Sequence, residues 1–151
     1  MSVDSWIDGA QRTHHSVTLY QRADLVAELD DISRRIDLAK ASPDSDDELD
    51  ELTGRWVTIG REFTASAMTV TVKGLTAAEV ASIRAEAVAG KADEREQMAR
   101  IISAAVVDPP LDPSQVLRLE DAVGENQLAL IIQAWQAASQ EPPPLIGESH
   151  G

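Results

Sequence analysis

Apolar side chains recur along the first half of the chain with the period of an α-helix. Leu25, Leu29, Ile32 and Ile36 are spaced by four, three and four residues, and Leu49, Leu52, Trp56, Ile59 and Phe63 by three, four, three and four. Each spacing puts its set on one helical face. Charged residues such as Glu28, Asp30, Asp31, Arg34, Arg35 and Asp37 occupy the remaining faces of the first helix, and Asp24 stands at its start, where an acid suits the helix dipole. Between the two stripes, Ser42-Pro43-Asp44-Ser45-Asp46-Asp47 interrupts helix propagation. Two such stripes joined by a short acidic turn predict an antiparallel helical hairpin over about residues 22–64. Isolated helices of this length are marginal, so the stripes must bury against each other or against a partner. Gly54 and Gly60 weaken the second helix by roughly 1 kcal/mol each relative to alanine, which points to close packing or a bend there.

The pattern changes on either side of the hairpin. Ser16-Val17-Thr18-Leu19-Tyr20 alternates and is β-branched, and Met68, Val70 and Val72 alternate through the segment that ends at Gly74. Strands 16–20 and 68–73 therefore bracket the hairpin and are expected to pair. Thr76 and Glu79 have capping-box spacing and start a helix through Val80, Ile83, Ala87 and Val88 that ends near Gly90. A second helix begins at about Asp93, carries Met98, Ile101, Ile102, Ala105 and Val106, and stops at Asp108-Pro109-Pro110-Leu111. Asp112 caps a third, with Pro113 at its first position, where the missing N–H is not needed. The fourth follows Gly124 with Leu128, Leu130, Ile131, Ile132 and Trp135. The fold expected is mainly α with a small antiparallel two-stranded β element: a bracketed hairpin followed by a four-helix C-terminal half. The corresponding divisions are 1–74 for the strand–hairpin–strand region, 75–140 for the helical region, and a flexible tail from Glu141, where three prolines stop the helix.

Composition narrows the function classes. The chain has 151 residues, enough for one domain or two small helical lobes. It holds 26 acids against 13 bases, a net charge of -13. Such a surface repels nucleic-acid phosphates and anionic lipid, so nucleic acid and membranes are not expected partners. No apolar run is long enough to span a bilayer, and Met1-Ser2-Val3-Asp4 has no secretory-signal character. Cysteine is absent, which removes disulfide and thiolate chemistry and fits a reducing cytoplasm.

Catalytic patterns are scarce. His14 and His15 are adjacent, so on a strand they point apart, and neither has a second ligand at helical spacing. The acidic run Asp44-Ser45-Asp46-Asp47-Glu48 lacks the glycine and the bidentate glutamate of a calcium loop and reads as a solvated hairpin tip. Ser103 and Ser139 have no histidine placed to activate them, and no phosphate loop or hydrolase motif occurs. The expectation is a protein that is not an enzyme and uses no metal or other cofactor. Its candidate partner-binding residues are Trp6, in a terminal segment without a sustained period, Trp56 and Phe63 on the hairpin, and Leu128, Ile131 and Trp135 on the last helix.

Residues Val70 to Glu141 resemble the tail assembly chaperones of long-tailed bacteriophages. The resemblance lies in the strand and turn Val70-Thr71-Val72-Lys73-Gly74-Leu75-Thr76, the helix closing on Asp108-Pro109-Pro110-Leu111-Asp112-Pro113, and the terminal helix Asn126 to Trp135 with its proline-containing tail. The half from Trp6 through Phe63 is similar to the N-terminal half of tail proteins from phages of actinobacteria, with a tryptophan-containing leader, a short strand and a charged hairpin. The resemblance implies a protein made in the host cell cytoplasm and absent from the mature virion. It would bind the tape measure protein, keep it soluble and assist polymerisation of the tail tube protein, and it implies no catalytic residues. Homo-oligomerisation is compatible with it. Two other readings remain open at this point: a structural minor tail or connector protein, and an acidic inhibitor or antitoxin that neutralises a basic protein.

Overall fold

The structure, a computed structural model, describes residues 2–140. Its elements run α1 (Val3–Asp8), β1 (His14–Tyr20), α2 (Leu25–Lys40), α3 (Asp46–Ala65), β2 (Ala67–Lys73), α4 (Ala77–Ala89), α5 (Glu94–Ala105), β3 (Val106–Asp108), α6 (Pro113–Val123) and α7 (Glu125–Gln140). The chain is thus mainly helical with a small antiparallel sheet of three strands, in the order β1-β2-β3. The expected tail from Glu141 lies outside the described residues.

Two features differ from expectation. The sheet has a third strand: Val106 ends the α5 stripe by spacing, but its backbone is extended (φ -72°, ψ 123°) and it pairs with Val72. Thr71 pairs with Asp108, so one residue, Val107, is extra on β3 and forms a bulge. The leader also contains a helix. In α1 the Ser2 hydroxyl caps the Ser5 N–H at 3.1 Å, and Gly9 ends the helix after six residues. Six residues are too few for a period to stand out in the sequence.

The chain divides into two compact units. One is Thr18–Met68 and contains α2 and α3. Here the two stripes meet as their spacing requires: Ile32, Ala39 and Leu52 are buried, with Ile36, Leu49 and Ile59 packed around them. At the turn the Ser45 hydroxyl donates to the Ala39 and Ser42 carbonyls, while Asp46, Asp47 and Glu48 occupy the first turn of α3, where the dipole favours acids. The open end is closed by Tyr20 stacked on Phe63, with centroids 4.2 Å apart, and by the Gln21 N–H donating to the Ser66 carbonyl at 3.0 Å. Asp24 precedes α2 but caps no N–H. Its carboxylate instead accepts two bonds of 3.0 Å from Arg22, which also reaches Glu62 at 2.7 Å. The Arg22 hydrogen bonds hold the Asp24 carboxyl below its usual range, and Asp24 in turn raises the Arg22 guanidinium. α3 is one continuous helix, and the positions a Cβ would take on Gly54 and Gly60 have no neighbour within 4 Å. The close approach expected at these glycines does not occur among the described residues.

The other unit comprises the residues up to Val17 and those from Thr69 onward. α5 is its centre and contacts α4, α6, α7 and β3. Ile101, Ile102, Ala99 and Ala105 of α5 are buried, as are Val70 and Val72 of β2, Val116 of α6, and Leu128, Ile131 and Trp135 of α7. Gln97 is the buried polar residue among them, and it is satisfied: it donates to the Ala92 carbonyl at 3.1 Å and accepts from Arg84 at 3.3 Å. Local signals set the helix starts. Both halves of the Thr76/Glu79 capping box are made, Asp93 caps the Glu96 N–H, and Asp112 forms a second box with Gln115 behind Pro113. The Ser103 hydroxyl donates to the Leu111 carbonyl at 2.6 Å and fixes the proline segment.

Candidate protein interface

Among the described residues two apolar surfaces are exposed, one in each unit. The first is on α3. Trp56 lies on the same helical stripe as Leu49, Leu52, Ile59 and Phe63, yet 45% of it is exposed, and Val57 beside it is exposed too. Gly60 follows one turn later and contributes no side chain, so the helix surface is hollowed between Trp56, Val57 and Thr64. The result is an open groove of about 540 Å³ lined by Trp56, Val57, Gly60, Arg61, Thr64 and Ala65. Arg61 is its sole charged lining residue, and it makes no ion pair among the described residues. A tryptophan and an unpaired arginine beside an apolar hollow are the residue types that anchor protein–protein contacts.

The second surface is α1. Val3, Trp6 and Ile7 stand at i, i+3 and i+4, so they form one ridge, and none is buried; Trp6 is 64% exposed. Asp4 and Asp8, one turn apart, flank that ridge, and the helix has no basic residue.

The six residues singled out from the sequence have different surroundings. Trp6 and Trp56 belong to these exposed surfaces. Phe63 is half-buried against Tyr20. Leu128, Ile131 and Trp135 form part of the α5-centred core, with Ile131 at 0% exposure and Trp135 at 8%. The neighbours that complete each surface, Val3 and Ile7 on α1 and Val57, Gly60 and Arg61 on α3, were not among the six. Their signal is present but short: Val57 adjoins Trp56, and Gly60 and Arg61 follow it at i+3 and i+4, which returns all three to one face.

Candidate chemistry elsewhere is engaged in structure. The Ser139 hydroxyl donates to the Trp135 carbonyl at 2.8 Å and accepts from the Leu75 N–H at 3.0 Å. Successive β1 residues His14 and His15 differ in burial, as side chains on opposite faces of a strand do. Among the described residues no group of three or more histidines and acids converges as a metal site would. No described helix is long and apolar enough to cross a membrane. One buried polar atom lacks a partner among the described residues, the Trp135 indole N–H.

Comparison with protein-family models, with curated proteins and with solved structures found no match to this chain.

Proposed function

We propose that this chain is a tail assembly chaperone of a long-tailed phage of actinobacterial type, which binds the tape measure protein and assists polymerisation of the tail tube protein around it. The observation that carries the binding part of the reading is the uncovered groove at Trp56, Val57 and Gly60 on an otherwise acidic chain. A long, aggregation-prone helical client offers apolar side chains in succession, and such a groove accepts one of them. The surrounding negative charge keeps the complex soluble. The phage assignment rests on the resemblance of the strand-led helical half and its proline-punctuated helices to that family. On this reading the protein acts in the host cell cytoplasm, has no catalytic role, and is absent from the mature virion.

Co-expression with a tape measure protein encoded in the same genome tests the proposal. The expected result is a soluble tape measure protein that co-purifies with this chain, and loss of that co-purification with Trp56→Ala. Unchanged tape measure solubility without co-purification overturns it. Mass spectrometry of purified virions separates it from the structural alternative: stoichiometric amounts of this chain in virions would identify a minor tail or connector protein instead.

A further inference from the structure

One edge of the small sheet is open and the other is guarded. Among the described residues the order β1-β2-β3 makes β1 and β3 the edge strands. β3 is three residues long, carries the Val107 bulge, and runs into Pro109 and Pro110, which have no N–H to offer a further strand. β1 has none of these protections. It is seven residues long and holds no acid, lysine, arginine or proline, in a chain of which 26% is charged. Its register on β2 is set at both ends, by the Gly74 N–H on the Thr13 carbonyl and the Gln21 N–H on the Ser66 carbonyl. Backbone bonding alternates along an antiparallel pair, so the odd-numbered residues from Thr13 to Gln21 bond to β2. The N–H and C=O groups of His14, Ser16 and Thr18 therefore point to the open side, and the side chains of all three are exposed.

We infer that β1 pairs antiparallel with β1 of a second copy of this protein across a two-fold axis, joining the two sheets into one. An antiparallel edge is complementary to itself, so a second copy meets each bonding group of β1 with its counterpart. In the register that uses the whole strand the axis passes through Val17. Ser16 then lies opposite Thr18 of the second copy, repeating the hydroxyl pairing that Ser16 makes with Thr71 at 2.9 Å. Val17, half-buried at this edge, meets its own copy, which covers its remaining surface. Arg12 and Arg22, beyond the two ends, come opposite each other, but each is already paired, Arg12 with Glu79 and Arg22 with Asp24 and Glu62. The missing charge on β1 favours a copy over a strand of other sequence. Two chains of net charge -13 repel, and a neutral strand is a surface at which they can meet. The contact is isologous and stops at two copies. It uses neither the α3 groove nor α1, so it is independent of the client proposed above.

Sedimentation velocity of the full chain over a wide concentration range tests it. The wild-type protein should pass from monomer to dimer and go no further, and added salt should tighten the dimer by screening the two net charges. Thr18→Pro deletes an N–H on the open side and leaves the bonds to β2 in place. Because the two-fold repeats the loss, dimerisation should weaken about tenfold or more. Ser16→Lys combined with Thr18→Lys sets lysines opposite lysines and should give a monomer, although it lowers the net negative charge. Ser16→Lys combined with Thr18→Glu sets unlike charges opposite each other and should restore the dimer. Thermal melts check that each variant folds as the wild type does. The chain has no cysteine, so Val17→Cys introduces a single thiol; mild oxidation should link two copies through it, and Ser16→Cys should crosslink less. A wild-type protein that stays monomeric, or grows past two copies, overturns the inference. A dimer that survives the paired lysines, that the lysine–glutamate pair does not restore, or that crosslinks no better through Val17→Cys than through Ser16→Cys overturns it as well.

Discussion

A Cβ on Gly74 would stand 2.6 Å from the carbonyl oxygen of Ala138 and 3.0 Å from its carbonyl carbon. The end of β2 and the last turns of α7 thus meet backbone to backbone, and the contact is held by the Leu75 N–H on the Ser139 hydroxyl, while the Gly74 N–H donates to the Thr13 carbonyl just before β1. Neither side of that contact is a flexible side chain able to move away. Gly74→Ala should therefore destabilise the protein by about 1–3 kcal/mol, through overpacking. Urea unfolding followed by circular dichroism measures it, and an unchanged midpoint would show that α7 shifts without penalty.

The orphaned indole N–H of Trp135 leads to a contrast within one helix. Removing a buried, unpaired donor recovers about 1–3 kcal/mol of desolvation penalty, which offsets the packing lost with the smaller ring. Trp135→Phe should change stability by less than about 1 kcal/mol, whereas Ile131→Ala, at a site of 0% exposure, should cost about 2–5 kcal/mol. Equal costs in urea unfolding would mean that the indole N–H has a partner in solution.

Glu79 supplies a pH dependence with a defined direction. The Thr76 backbone N–H, most of all, holds its carboxyl below the usual glutamate range, with the Thr76 hydroxyl and Arg12 adding to the effect and partial desolvation opposing it. Since folding lowers this pKa, the contribution to stability is complete above the ordinary glutamate range and is lost as pH falls through the folded value. Side-chain NMR titration should find Glu79 among the lower glutamate midpoints, and Thr76→Ala should raise it. The same variant should cost about 1 kcal/mol, the usual loss for an N-cap. A Glu79 midpoint unmoved by Thr76→Ala would remove the Thr76 hydroxyl as a cause and leave the backbone N–H and Arg12.

Gly54→Ala and Gly60→Ala should each stabilise α3 by up to about 1 kcal/mol, because both sites lie inside the helix with open space where the methyl would go. The two differ in one respect. Gly60 lines the groove and Gly54 does not, so only Gly60→Ala should also reduce binding at that surface. Thermal melts and co-purification assays of both variants separate the effects; equal binding by the two would place the contact elsewhere.

The features legible in the sequence were those fixed by short-range chemistry. The stripes through Ile32 and Leu52 have one helical period and meet in one small core, and the caps at Thr76, Asp93 and Asp112 are specified by residues three apart. β3 was not legible because Val106 continues the spacing of Ile102, and only its long-range partner Val72 selects the extended backbone. The candidate interface was legible in its tryptophans alone. Trp56 and Trp135 each occupy an apolar helical stripe, and no local pattern distinguishes a stripe that α5 covers from a position on α3 that stays open. Gly60 pointed to close packing, but a sequence does not state whether the approaching surface belongs to the same chain.

The boundaries at Val17/Thr18 and Met68/Thr69 have a consequence for how this chain tolerates change. Thr13 is bonded to Gly74 and Ser16 to Thr71 on one side of those boundaries, and Gln21 to Ser66 on the other, so the peptide leaves and returns along adjacent antiparallel strands. The helical hairpin is therefore an insertion whose two ends lie side by side. Adding or removing whole turns from both of its helices at the Ser42–Ser45 tip would alter its reach without disturbing strand register. Hairpin length is then the dimension along which related sequences are free to diverge, and the tip is the site at which a tag or a foreign helix pair is best grafted.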